Sequence, residues 1–142
     1  WRLESNLDDC SGEVLGFVMD ELFAAGARDV YYTPIYMKKN RPAVQINIIC
    51  REQDVDKLQN ILFCNTTTIG VRRCRMERTI LPREIRQMDT PYGKVQVKVC
   101  RIGEEVRVYP EYDSVVELCK THNMSFQKAW RIASAAADTV EK

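Results

Sequence analysis

Along this chain the spacing of apolar positions switches several times between a period of two and a period near 3.6, and the switches delimit the elements. Residues 1–8 alternate loosely and predict a strand. Ser11 then opens a helix whose apolar stripe is Val14, Leu15, Val18, Leu22 and Phe23, with Gly26 as its stop. Residues 29–38, rich in Tyr, Thr, Ile and Val, read as a strand that turns at Asn40-Arg41-Pro42. In 43–50, Val44, Ile46 and Ile48 alternate with Gln45 and Asn47, completing a hairpin. Asp54 is placed to cap a second helix with Val55, Leu58, Ile61 and Leu62 inward, and a long strand with alternating arginines is expected over 68–81. The order βαββαβ predicts an α+β fold, a ferredoxin-like sandwich with both helices on one face of a four-stranded antiparallel sheet. Because Val and Ile fall on both sides of the third strand, the uncovered face is expected to pack on another subunit or on the C-terminal part.

After Pro82 the rhythm changes. A second hairpin, 84–89 and 94–102 around Pro91-Tyr92-Gly93, is followed by a short strand at 106–109 and two helices. Asp113 opens the first, with Val115, Val116, Leu118 and Cys119; Ser125 opens the second, with Phe126, Ala129, Trp130, Ala133 and Ala137. The expected organisation is a ferredoxin-like subdomain at 1–82 and a small α/β appendage at 83–142.

Composition narrows the function classes without choosing one. At 142 residues and a net charge of +1, the chain has an ordinary globular balance and no whole-molecule attraction to nucleic acid or membrane. No apolar run reaches a membrane span. Charge is instead distributed locally, acidic over 1–29 and basic over 72–101. The six cysteines lack CxxC or zinc-ribbon spacing and read as reduced, structural thiols of a cytoplasmic protein. Trp1 begins directly on a strand pattern, so the chain is read as part of a longer protein. The single histidine, His122, reads as a surface residue at a helix end.

The chemistry-bearing motifs fall where strands end or turns begin: Asn6-Leu7-Asp8-Asp9, Met37-Lys38-Lys39-Asn40-Arg41-Pro42, Thr66-Thr67-Thr68-Ile69-Gly70-Val71-Arg72-Arg73 and Thr90-Pro91-Tyr92-Gly93. Paired carboxylates suit a hydrated hard cation, and clustered Lys and Arg suit phosphate oxygens, so together they point to a metal-bound polyphosphate such as a nucleotide. Asp8 and Asp9 are the metal candidates, with Glu13 a supporting partner; each also suits helix capping. The ligand candidates are Asn6, Ser11, Lys38, Lys39, Asn40, Arg41, Thr66, Thr67, Thr68, Gly70, Arg72 and Arg73, with Arg83 and Lys94 reaching in from the second part. The threonine loop is not a Walker A loop, since GxxxxGK[ST] is missing. An RNA-binding module shares the βαββαβ order but stacks bases on aromatics in its central strands, and 43–50 has none.

These motifs, together with Tyr32-Thr33-Pro34-Ile35 and Leu81-Pro82-Arg83-Glu84, resemble the C-terminal domain of the LarC family of nickel insertion proteins, and the resemblance covers nearly the whole chain. It departs at Cys10, where the family is expected to carry an apolar residue such as Met, and just before Pro110-Glu111-Tyr112. The resemblance implies a cytoplasmic homo-oligomer, and a cyclometallase or chelatase of the lyase class. Such an enzyme uses CTP with Mn2+ or Mg2+ to insert Ni2+ into pyridinium-3,5-bisthiocarboxylic acid mononucleotide, making the nickel-pincer nucleotide cofactor of lactate racemase. CTP binding would fall to the present domain. The family's N-terminal domain lies outside this sequence, so this chain by itself is not expected to insert nickel. A non-catalytic regulatory or oligomerisation domain on the same sandwich is the alternative, separated by cation-dependent triphosphate binding.

Overall fold

The computed structural model describes residues 1–140, which form two compact units, one of Trp1–Arg78 and one from Thr79 onward. In the first unit β1 (Arg2–Leu7), α1 (Gly12–Ala24), β2 (Asp29–Met37), β3 (Arg41–Ile49), α2 (Val55–Asn65) and β4 (Arg72–Cys74) follow one another, and the sheet order is β2-β3-β1-β4. All neighbouring strands are antiparallel, with β1 central against both β3 and β4. This is the ferredoxin-like arrangement expected from the element order.

Register decides which residues face the helices. Leu3 opposes Ile48, Ser5 opposes Ile46 and Leu7 opposes Val44, so the two central strands, β1 and β3, turn to the helices a face that is apolar apart from Ser5. On it Leu3, Ile46, Ile48, Val18, Leu22, Leu58 and Leu62 are sealed from solvent in one core. Burying each such side chain contributes on the order of 1.5–3 kcal/mol. Ser11 accepts the Val14 amide hydrogen bond as N-cap of α1, and Gly26, at φ 102°, supplies the left-handed position that lets the chain leave the helix. Tyr32 donates its hydroxyl to the Leu15 carbonyl and fastens α1 to the sheet.

Several expectations need correction. The long strand over 68–81 is only three residues, because β4 pairs along β1 alone and that ladder ends at Arg2 opposite Cys74; residues 75–81 form no strand. Phe23 is exposed, since the stripe of α1 that faces the sheet narrows to Val18 and Leu22. Asp54 precedes α2 in helical backbone geometry and makes no side-chain cap; a 3-10 turn at Glu52–Asp54 leads in instead.

In the second unit β5 (Arg83–Thr90), β6 (Gly93–Ile102) and β7 (Glu105–Pro110) form an antiparallel meander, followed by α3 (Tyr112–His122) and α4 (Phe126–Ala137). Val95, Val97 and Val99 alternate on β6 and are buried with Val115, Leu118, Ala129 and Ala133 of the helices. The alanine face of α4 is the reason it can lie close to the sheet. Phe126 and Trp130, expected inward, are exposed and stack on one another with ring centroids 5.9 Å apart. α3 starts at Tyr112 with Glu111 as its uncapped lead-in, and Asp113 lies in its first turn rather than capping it. None of the helices among the described residues is long and apolar enough to cross a membrane.

Candidate functional site

In the first unit, the C-terminal ends of β1 and β2 and the N-terminal ends of β3 and β4 share one end of the sheet, because the strands are antiparallel in the order β2-β3-β1-β4. Three loops therefore meet there: Asp8-Asp9 after β1, the β2–β3 tip, and the threonine loop after α2. A cleft of about 340 Å³ opens between them. Asn6, Asp8 and Asp9 form one wall, Thr67, Thr68, Ile69 and Gly70 another, and Ser5, Met37 and Arg72 complete it.

The threonine loop is held by hydrogen bonds rather than by apolar contact. Ser5 donates to the Gly70 carbonyl at 2.9 Å, and its oxygen lies 2.5 Å from Thr68 Oγ1. Ser5 is 2% exposed, so its hydroxyl depends on these partners. Thr66 Oγ1 donates to the Leu62 carbonyl at 2.7 Å and accepts from the Thr68 amide at 3.2 Å, which ends α2 and starts the loop. Thr67 donates to Asp9 and lies 3.3 Å from Cys10 Sγ, tying the loop to the acidic turn.

At the β2–β3 tip, a 3-10 turn spans Lys38–Asn40, with Lys39 at φ 61° and Asn40 at φ 56°. Two consecutive left-handed residues bend the chain sharply, and Asn is among the residues that tolerate this best. Arg41 just beyond donates Nη1 to Asp8 Oδ2 at 2.9 Å. That hydrogen bond, reinforced by the charges of Arg41 and Lys38, holds the Asp8 carboxyl below the usual aspartate range against the opposing effect of burial. Lys38, Lys39 and Asn40 remain exposed.

Arg72 and Arg73 separate, as adjacent strand residues must. Arg72 turns to the cleft side, where Nε donates to Glu4 at 2.6 Å and Nη2 to Asn6 at 2.6 Å. Arg73 turns to the helix side and binds Gln59 and Asp56 of α2, away from the cleft. Ser11 serves as the α1 cap, and its hydroxyl, together with a backbone hydrogen bond, holds the Glu13 carboxyl below its ordinary range. Thr66 is likewise engaged at the helix end and is not among the cleft-lining residues.

Arg83 and Lys94 belong to the second unit. Arg83 lines a groove of about 340 Å³ with Glu84, Arg86, Val99 and Arg101. Lys94 stands opposite Asp89 on the β5–β6 hairpin, whose turn closes at Gly93 with φ 109°. The exposed His122 has a ring nitrogen 2.7 Å from the Tyr92 carbonyl of that turn, with the two rings edge to face at 5.4 Å.

No group of three or more His, Cys, Asp or Glu side chains among the described residues is arranged to hold a metal. Asp8 and Asp9 nonetheless fit a hard cation that arrives on a polyphosphate, because Mg2+ and Mn2+ bound to a nucleotide keep several waters and take one or two carboxylates. The cysteines are dispersed, with Cys50 buried and Cys64 exposed, and make no soft-metal cluster.

Ser5, which lines the cleft, and Glu4, which lies beside it, are not among the sequence candidates; Met37 and Ile69, present in the motifs without a role of their own, also line it. Ser5 had a signal: it is the one polar residue at an inward position of β1, between Leu3 and Leu7. Ile69 lines the cleft from the loop tip, where it is almost fully exposed.

A profile of the family described as nickel insertion protein matches residues 1–130. This chain belongs to that family. The pyridinium-3,5-bisthiocarboxylic acid mononucleotide nickel insertion protein of Alkaliphilus metalliredigens is 46% identical over the whole chain, which covers 32% of that protein. The protein of the same name from Lactiplantibacillus plantarum is 41% identical over 99% of the chain and 33% of its own length. The chain thus spans about a third of the length of the curated relatives it matches. Among solved structures, apo LarC2, the C-terminal domain of a cyclometallase involved in the synthesis of the NPN cofactor of lactate racemase, superposes with TM-score 0.88 at 41% identity, covering 97% of this chain and 96% of that one. A protein of Methanopyrus kandleri AV19 superposes with TM-score 0.70 at 25% identity over 96% of this chain and 85% of that one. The family membership agrees with the resemblance carried by the motifs, and the LarC2 match agrees with the α+β fold expected for them.

Proposed function

We propose that the cleft of the first unit binds CTP together with Mn2+ or Mg2+. In a longer cytoplasmic protein, this binding serves the insertion of Ni2+, as substrate, into pyridinium-3,5-bisthiocarboxylic acid mononucleotide. The observation that carries the reading is the meeting, in one cleft, of two carboxylates, a guanidinium and a hydroxyl-rich loop. That combination matches the chemistry of a metal–triphosphate and is poor for a neutral ligand. The relatives' names support nickel insertion as the purpose.

In this reading Asp8 and Asp9 would hold the cation, and Thr67, Thr68 and the Gly70 backbone would line the phosphates. The cation supplies charge neutralisation at the phosphate oxygens. Arg72 reaches the phosphates from β4, and Lys38, Lys39 and Arg41 reach them from the hairpin tip as charge-assisted donors. A phosphate that draws Arg41 off Asp8 would free that carboxylate for the cation, so ligand and metal are expected to bind cooperatively. The choice of CTP over other triphosphates rests on the LarC resemblance; physically it requires donors and acceptors matched to the cytosine edge. The enzyme class, a cyclometallase of the lyase class, and assembly as a homo-oligomer with the N-terminal domain of the same protein belong to the same proposal.

Titration calorimetry of the chain with CTP, in Mn2+ and in EDTA, tests it. Tight binding in Mn2+ that collapses in EDTA supports the reading; no binding in either buffer rejects it and leaves the regulatory or oligomerisation alternative.

A further inference from the structure

We infer that Glu4 is a positioning residue for this cleft: it fixes the pose in which Arg72 meets an anionic ligand. The inference rests on the nucleotide reading above.

Glu4 is on the face of the sheet turned away from the helices, where register sets it across from Asn47 of β3 and Arg72 of β4. Its two carboxylate oxygens are divided between two guanidinium groups. Oε1 accepts from Arg72 Nε at 2.6 Å, and Oε2 forms an ion pair with Arg2, whose Nη2 lies 3.0 Å away. Arg72 Nη2 donates to Asn6 Oδ1 at 2.6 Å, and the same oxygen accepts from Gln45 Nε2 at 3.1 Å. One edge of the Arg72 guanidinium is therefore clamped to the sheet, and its remaining donors are left for a ligand.

Two features separate positioning from simple charge. Arg72 lines the cleft and Glu4 does not, so Glu4 reaches a ligand only through Arg72. Glu4 is also the more enclosed partner, with 13% of its side chain exposed against 52% for Arg72. An arginine on a three-residue edge strand has many rotamers to lose on binding, and a carboxylate that already selects one of them removes part of that cost. Plain electrostatics gives the opposite sign: a carboxylate near an anion site repels the anion, so deleting it would strengthen binding.

Calorimetric titration of CTP with Mn2+ into the Glu4→Ala, Arg72→Ala and doubly substituted chains distinguishes these readings. Glu4→Ala is expected to weaken binding about tenfold, the scale of one charge-assisted contact, and the double variant to bind no more weakly than Arg72→Ala. Unchanged or tighter binding in Glu4→Ala, or an equal further loss in the Arg72→Ala background, overturns the role. If Arg72→Ala alone leaves affinity unaltered, the assignment of the cleft fails and the role of Glu4 falls with it. Where Glu4→Ala does not fold, Glu4→Gln keeps the side-chain length and one acceptor for Arg72 Nε. It is expected to lose affinity several-fold, and tighter binding in that variant overturns the role equally.

Discussion

Removing the Ser5 hydroxyl should loosen the threonine loop while leaving the core intact. In Ser5→Ala the cavity left is a single oxygen, so the packing change is small, but the Gly70 carbonyl and Thr68 Oγ1 both lose a partner. A neutral intramolecular hydrogen bond contributes about 0.5–1.5 kcal/mol, so losing two costs about 1–3 kcal/mol in total. Thr68 Oγ1 lies 2.9 Å from the Gly70 carbonyl, so once Ser5 is gone its single proton can turn to that oxygen, which partly compensates and favours the lower half of that range. With m of about 1–2 kcal/mol per molar urea for a unit of this size, the unfolding midpoint should fall by about 1 M without change in slope. Hydrogen exchange should accelerate at the amides of Thr68 and Gly70, which donate to Thr66 Oγ1 and Thr68 Oγ1, while Ile46 and Ile48 in the core keep their protection. Nucleotide affinity should fall in parallel, because the loop must then be ordered by the ligand. A midpoint unmoved within error, with unchanged exchange at the loop, would refute the claim that Ser5 anchors it.

Lys39→Ala should weaken metal–nucleotide binding about tenfold through loss of a charge-assisted contact, whereas Arg73→Ala, whose guanidinium is committed to α2, should leave affinity unchanged; calorimetry on both reads the contrast. Asp8 has its folded pKa depressed chiefly by Arg41, so its contribution to stability is present above the ordinary aspartate value near 3.8 and is lost as pH falls through the lower folded value. Acid titration of unfolding should therefore lose a component in Asp8→Asn relative to the parent, and identical acid limbs would contradict the ion pair. Native thiol titration should modify the exposed Cys64 first and Cys50 last, since burial both hides the Cys50 thiol and raises its pKa; rapid native labelling of Cys50 would show the core to be open.

The first unit was legible where local and tertiary preferences agree. Ser11, the Val18 and Leu22 stripe, and the alternation of Ile46 and Ile48 point to the same elements that packing selects. The 68–81 region was not, because a strand exists only where a neighbour supplies hydrogen bonds, and periodicity in arginine does not reveal that the β1 ladder ends opposite Cys74. The exposed stack of Phe126 on Trp130 was hidden for a related reason: helical spacing says that residues share a stripe, not that a sheet lies beneath it. At the site, turn chemistry around Asp8, Lys39 and Gly70 indicated where polar groups gather. The division of labour between Arg72 and Arg73 required the register of β4, and the enclosed Glu4 required knowing which strands lie beside β1.

The central claim is that two carboxylates, a guanidinium and the threonine loop form one metal–triphosphate site. Its most direct test is calorimetry of this chain with CTP, UTP and ATP, each in Mn2+ and in EDTA, repeated on Asp9→Asn. Mn2+-dependent binding that favours CTP and weakens in Asp9→Asn is the predicted result; equal affinities for the three nucleotides would remove the choice of CTP, and binding indifferent to both the cation and Asp9 would contradict the site itself.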